Sequence, residues 1–311
     1  MSTNDDPHDT VELQAGSGQP ALTSRRRLIQ AGGLGLLGAG ALGVARPDNA
    51  TAAENPPSIL DKWTREKKAR LGVDLSFPPL QFINPKTKKP SGYMVQITEM
   101  MMKDLGVKPD YVQTPFAQLF AGLAARKFDM VGIAATILPS RALQGWFAGL
   151  PVFYESNVVL VNKKSKARGL KALSRARFAV LQGSSQQASG SVIFPGAKFK
   201  AFASESDAAT EVAVGRADAA IFSEFSAGSI LAKNKNLRTL GGPPLFVDAN
   251  TYFMPKDDER LWQWVTNWLL YQSTHQTMAG LWRKWVGPSA RKYHLQTSLV
   301  GTNGTAVPFK T

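Results

Sequence analysis

Cysteine is absent from the 311-residue chain. That absence excludes disulfides, thiol nucleophiles, thiolate metal sites and a lipid-modified cysteine anchor. Histidine is nearly as scarce: His8, His275 and His294 lie far apart and form no HExxH-type pair. A zinc enzyme finds no ligand set here, and neither a metal nor a cofactor is expected. Acidic residues are few, 23 against 37 lysines and arginines, for a formal charge of +14. Such a balance invites a nucleic-acid reading. The basic residues, however, sit mainly in polar connecting segments such as Lys86–Lys89 and Lys163–Lys171. They are not interleaved with aromatics and accompany no nucleic-acid motif, so a basic, solvated surface is the simpler reading.

The amino end lacks charge from Leu28 to Ala45 and is glycine-rich there. Glycine dilutes its hydrophobicity and lowers its helix propensity. At roughly 18 residues the run only reaches the lower limit for spanning a bilayer. Ahead of it, Ser24–Gln30 reads SRRRLIQ, the twin-arginine export pattern, and Ala50-Thr51-Ala52 offers a small-residue cleavage site before Ala53. These features favour a removed signal over residues 1–52 against a retained anchor, and a mature chain exported to the periplasm.

What the chain does have is an ordinary apolar fraction, 43%, and length enough for two lobes of domain size. After a helix at about 58–69, strand-like and helical runs alternate: strands at 70–75, 111–113 and 130–135, with helices at 93–105 and following Pro115. Such alternation predicts a largely parallel sheet flanked by helices. A second copy of the pattern has strands at 157–161, 178–181 and 217–222 with a helix at 205–214; a strand at 251–254 and helices at 259–271 and 277–286 close the fold. The methionines at 100–102 and the tryptophans of the last two helices recur at helical spacing and read as core. Thr136, Arg141, Ser185 and Ser223 all follow strand carboxyl ends, where ligands bind in open α/β sheets.

Over residues 66–287 the chain resembles the periplasmic amino-acid-binding proteins of ABC importers, solute-binding family 3. The resemblance is carried by LGVDLSFPPLQF, SGYMVQI, ATILPSR, GLPVFYESNVVLV, LQGSSQ and GRADAAIFSE, taken in order. It implies an α/β, two-lobed periplasmic-binding-protein type II fold, each lobe a mostly parallel sheet flanked by helices. Lobe 1 is expected at 53–155 plus 251–287, lobe 2 at 156–250, and a polar tail at 288–311. Crossovers are expected at about 154–158 and 247–251. The resemblance also implies a monomer without catalytic residues that captures a small carboxylate and delivers it to ABC permease subunits. Carried over by residue, Arg141 forks onto the ligand carboxylate, helped by Thr136 and, from the other lobe, Ser185. Phe77 and Phe116 form aromatic walls, and Asp74 faces the ligand's side chain.

The chain departs from the pattern at the ammonium site. The aspartate that family members carry five positions after the leading aspartate of that strand, here Asp218, is Ser223, with Glu224 next to it. Either Glu224 reaches across, or the ligand lacks a conventional α-amino group. A dehydratase of the cyclohexadienyl or arogenate type, with Glu224 as general acid, is the alternative from another class. A sensory module that relays ligand binding to another protein is a third.

Overall fold

The computed structural model describes residues 57–293, 298–300 and 306–308, for the last two stretches and Tyr293 the backbone only. The twin-arginine segment, its cleavage site and much of the polar tail lie outside the described residues. All described residues belong to one compact unit, Asn55–Thr311.

Nine of the twelve strands of the main sheet frame the site: β1 (Lys68–Val73), β2 (Lys108–Gln113), β3 (Met130–Thr136), β4 (Phe153–Asn162), β5 (Arg177–Leu181), β6 (Lys198–Phe202), β7 (Ala219–Ser223), β8 (Leu237–Thr239) and β9 (Phe246–Met254). Their order is β6-β5-β7-β4-β9-β3-β1-β2, with β8 alongside β4. At one end β1 runs parallel to both β2 and β3. At the other, β5 runs parallel to both β6 and β7. The innermost strand of each trio, β3 and β7, is buried throughout and reads as an apolar run, whereas the edge strands β2 and β6 keep exposed polar positions.

Ten α-helices are described: α1 (Ile59–Glu66), α2 (Tyr93–Asp104), α3 (Leu119–Ala124), α4 (Pro139–Ala142), α5 (Ser185–Ile193), α6 (Glu205–Ala213), α7 (Glu224–Lys233), α8 (Glu259–Thr274), α9 (Thr277–Trp285) and α10 (Gly287–Tyr293). Trp63, Leu71, Met94, Met101, Leu269 and Trp282 pack in a core beside the first trio. Leu160, Ala208, Ala220 and Phe222 make a separate core beside the second. The methionine and tryptophan stripes are therefore packing devices.

Two long strands join the halves. β9 pairs antiparallel with β3 at its carboxyl end, Thr136 opposite Asn250, and with β4 at its amino end, Glu155 opposite Asp248. Beyond that point β4 pairs with β7, placing Asn157 opposite Ser223. The chain thus crosses between halves twice, and the crossing is polar: Glu155, Ser156, Asn157, Asp248, Asn250 and Thr251 are all buried there. Buried polar groups need partners, and these supply one another.

Candidate functional site

A cleft of about 300 Å³ opens beside the crossing strands. Residues of both halves line it: Asp74, Phe77, Gln81, Phe116 and Thr136 from the first; Ser185, Gln186, Glu205 and Ser226 from the second; and Glu155 and Asn250 from the strands between. Five expected site residues therefore meet in one place, namely Asp74, Phe77, Phe116, Thr136 and Ser185.

Local structure explains how each is held. Asp74 follows β1 and accepts from the Ser76 N–H and hydroxyl at 3.1 and 2.6 Å and from the Phe116 N–H at 2.8 Å. Its two oxygens thus fasten one aromatic wall to the strand end. Gly92 turns the chain into α2 at φ 126°, which lets the Tyr93 and Met94 N–H groups bond the carbonyls of Pro79 and Leu80 at 3.1 and 2.8 Å. A Cβ at Gly92 would collide with the Leu80 carbonyl, so only glycine holds this wall against the helix.

Ser184 caps α5, its hydroxyl accepting from the Gln187 N–H at 3.2 Å. The Ser185 and Gln186 N–H groups meet no acceptor among the described residues, and both residues are buried in the cleft lining. Free donors at a helix amino end, with the dipole behind them, favour an anion. The Ser185 hydroxyl is already committed: it donates to Asp248 at 2.6 Å, beside a 3.0 Å bond from Asn157. Burial raises the Asp248 carboxyl, while these two hydrogen bonds and Arg141 pull it back.

Arg141 is 5% exposed. Its guanidinium donates to the Thr136 carbonyl at 2.9 Å and, across to the second half, to the Gly183 carbonyl at 2.8 Å. It lies over Phe120 at 4.3 Å and Phe116 at 5.4 Å. Burial pushes it down to about 10, against the pull of Asp248 and Glu155, so it stays charged at neutral pH. The guanidinium lies behind Thr136, in the wall of a second cavity of about 570 Å³ with Phe120, Gly183 and Gln187. Ser184 borders both spaces. Two of the five guanidinium N–H groups are committed to carbonyls.

Ser223 and Glu224 are placed differently from the expectation. Ser223 is fully buried, caps α7, and does not line the cleft. Glu224 is buried in the first turn of α7 and is not in the cleft lining either. The carboxylates that do line it, besides Asp74, are Glu155 and Glu205. Glu155 accepts from the Asn250 amide at 3.3 Å, and burial, partly countered by Ser223 and Asn250, pushes it up to about 7. Half-buried Glu205 accepts from the Ser226 hydroxyl at 3.1 Å, and desolvation pushes it up to about 8, with Glu155 and Asp74 adding to the rise.

Sequence reasoning missed Glu155, Glu205 and Gln81. One signal was available for Glu155: a carboxylate inside an apolar strand run is seldom buried without a task. Glu205 gives none, since an acidic first turn after a serine cap is ordinary helix grammar. Among the described residues no group of acidic or histidine side chains is arranged to hold a metal ion.

The family model described as bacterial extracellular solute-binding proteins, family 3, matches residues 69–288. The L-cystine-binding protein TcyA of Bacillus subtilis is 32% identical over 74 residues, which is 23% of this chain and 28% of that one. The chain spans less than two thirds of the length of the curated relatives it matches, for example 62% of the histidine-binding periplasmic protein of Salmonella typhimurium. A solved variant of ArgBP from T. maritima is 25% identical with a TM-score of 0.67, covering 73% of this chain and 99% of that one. An ancestral amino acid-binding protein, AncCDT-1, described as a precursor of cyclohexadienyl dehydratase, is 25% identical with a TM-score of 0.64, covering 74% of this chain and 99% of that one.

Proposed function

This chain belongs to the bacterial extracellular solute-binding proteins of family 3, and from that premise we propose that its cleft captures an amino acid or related small carboxylate for an ABC importer. Capture takes place in the periplasm, after export directed by Ser24–Gln30, and the protein acts as a monomer that docks on permease subunits. Lobe 1, at 53–155 plus 251–287, and lobe 2, at 156–250, close on the ligand about the two crossing strands.

One observation carries the reading. The Ser185 and Gln186 N–H groups, unpartnered at the start of α5, lie in the lining of a cleft shared by both halves, with the Arg141 charge behind it. A ligand carboxylate accepts from those two N–H groups, gains the helix dipole, and draws on the guanidinium as Arg141 exchanges its carbonyl partners for the stronger charged acceptor. Phe77 and Phe116 enclose the remainder of the ligand. Opposite charges about 4 Å apart attract by roughly 4 kcal/mol at an effective dielectric near 20. That is about half of the ~8 kcal/mol a micromolar complex requires.

The dehydratase alternative also has an observation behind it. It needs a carboxyl that is protonated near neutral pH and faces the ligand. Glu155, held at about 7, fits that role, whereas Glu224 is not in the lining.

One experiment separates the two. The purified protein is heated with amino acids, keto acids and cyclohexadienyl carboxylates, and the same samples are assayed for product. Capture predicts a rise in melting temperature without turnover, lost in Arg141→Ala. Turnover that disappears in Glu155→Gln makes the protein an enzyme.

A further inference from the structure

We propose that the cleft is built for an amino acid whose side chain is itself cationic, with Glu155 and Glu205 as its charged acceptors and Gln81 as a neutral third. The inference rests on the capture reading above and names the substrate class of that same site.

The acidic function that the sequence lacks at Ser223 has moved across the sheet. Ser223 sits opposite Asn157, and Glu155, two residues along β4, projects on the same face as Asn157. The serine hydrogen-bonds the Glu155 carboxylate, so the short side chain makes room for an acid arriving from the neighbouring strand. One carboxylate would suffice for an α-ammonium group. The cleft holds a second one with acceptor sites to spare, Glu205, on the first turn of α6 in the opposite half.

Neither acid is saturated. Besides Ser223, Glu155 has a single long bond from Asn250 at 3.3 Å, and Glu205 has one from Ser226 at 3.1 Å. A carboxylate has about four acceptor sites. Asp74, by contrast, has both oxygens engaged in holding Ser76 and Phe116. Lys233 is the one cation in the cleft lining, and it forms no ion pair with these acids among the described residues.

Gln81 supplies an independent pointer to a donor-rich ligand. It is 6% exposed and lines the cleft, and its side-chain oxygen is buried without a donor. An orphaned buried acceptor costs stability until an N–H reaches it. Phe77, Phe116 and Phe153 line the same space, and aromatic faces favour both an alkyl stem and the cation at its end. The acids are not grouped to hold a metal ion; acceptors spread between two halves suit an extended organic cation.

Charge around the pair is mixed. Asp248 of β9 and Arg141 of α4 act on Glu155; Asp74 acts on Glu205; Glu155 raises Glu205; and Lys233 and Glu224 lie on the adjacent α7. Burial, with like-charge repulsion from Asp248 on Glu155 and from Glu155 and Asp74 on Glu205, leaves both acids partly protonated near neutral pH. A bound cation ionises them, so binding releases protons and affinity climbs as pH rises towards 8.

The test is titration calorimetry on the full chain with arginine, lysine, their uncharged counterparts citrulline and norleucine, and glutamate, at pH 6 and pH 8. Arginine or lysine is expected to bind about tenfold or more tightly at pH 8 than at pH 6. The uncharged counterparts are expected to be weaker by about a hundredfold or more. Glu205→Gln should keep the fold by circular dichroism, lose most of that preference and flatten the pH dependence. Citrulline, norleucine or glutamate binding as tightly as arginine or lysine overturns the cationic assignment while capture stands. Binding of none of the five, when a solute outside the set does raise the melting temperature, overturns it in the same way. If no solute binds at all, both readings fall.

Discussion

At the scale of single residues, Glu155 is one of two acids in the cleft lining whose burial costs stability. Its carboxyl sits at about 7 because burial disfavours the charge, against an ordinary value near 4.3. Between those two values the folded chain binds more protons than the unfolded one, so this group removes stability as pH rises through that window, and the full cost is present above it. Glu205, held at about 8, acts in the same sense over a wider window. Glu155→Gln, which mimics the protonated acid and cannot ionise, is therefore expected to melt several degrees above the parent at pH 8 and close to it at pH 5. A lower melting temperature at pH 8 would mean that the acid is stabilised by neighbours and is not strained by burial. The position itself was readable from FYESN within the crossover, but its burial was not. Whether a strand carboxylate faces solvent or a cleft depends on what packs over that face.

At the scale of elements, the boundaries follow local rules where those rules are strong. The Tyr93–Asp104 helix, expected at 93–105, starts at a glycine and buries Met94, Ile97 and Met101. The strand expected at 130–135 extends one residue to Thr136. The helices at 185–193 and 224–233 escaped, because their glycine and serine content weakens the 3.6-residue signal; both begin at serine caps, Ser223 ending its strand and Ser184 in the turn after Leu181. Those two helices nevertheless shape the site, one by presenting free N–H groups and the other by carrying Ser226 and Lys233 into the lining. Gly92 decides how the Phe77–Gln81 wall meets the 93–104 helix. Gly92→Ala is expected to cost at least about 1 kcal/mol in urea unfolding. It should also weaken ligand binding, since the shifted wall carries Phe77 and Gln81; unchanged stability would show that the turn is not what holds them.

Across the whole molecule, the closure proposed above would draw on contacts between the two halves. The Arg141 bond to the Gly183 carbonyl is one. Phe225 supplies an apolar one: carried by a second-half helix, it packs in the first-half core, edge-on to Phe77 at 6.4 Å, Phe153 at 5.9 Å and Trp282 at 5.8 Å. Removing such a ring from a packed cluster costs about 3–5 kcal/mol. Because the loss falls on the contact between halves, it should shift the open–closed balance as well as stability. Phe225→Ala is expected to enlarge the ligand-free radius of gyration in small-angle scattering and to reduce ligand affinity in proportion to the lost closed fraction. An unchanged radius would place the ring in a core that stays intact when the cleft opens.

The alternation of most strands and helices, the apolar stripes and the positions of Thr136, Arg141 and Ser185 just after strands were determined by the sequence alone. They depend on period, caps and turn residues, which act over a few neighbours. Tertiary structure decided which side chains line the cleft, keeping Ser223 and Glu224 out of the lining and bringing Glu155 and Glu205 into it. It also committed two Arg141 donors to carbonyls on opposite halves. Those outcomes depend on strand pairing and on packing between residues tens of positions apart, where burial sets both the direction of a side chain and the charge it carries.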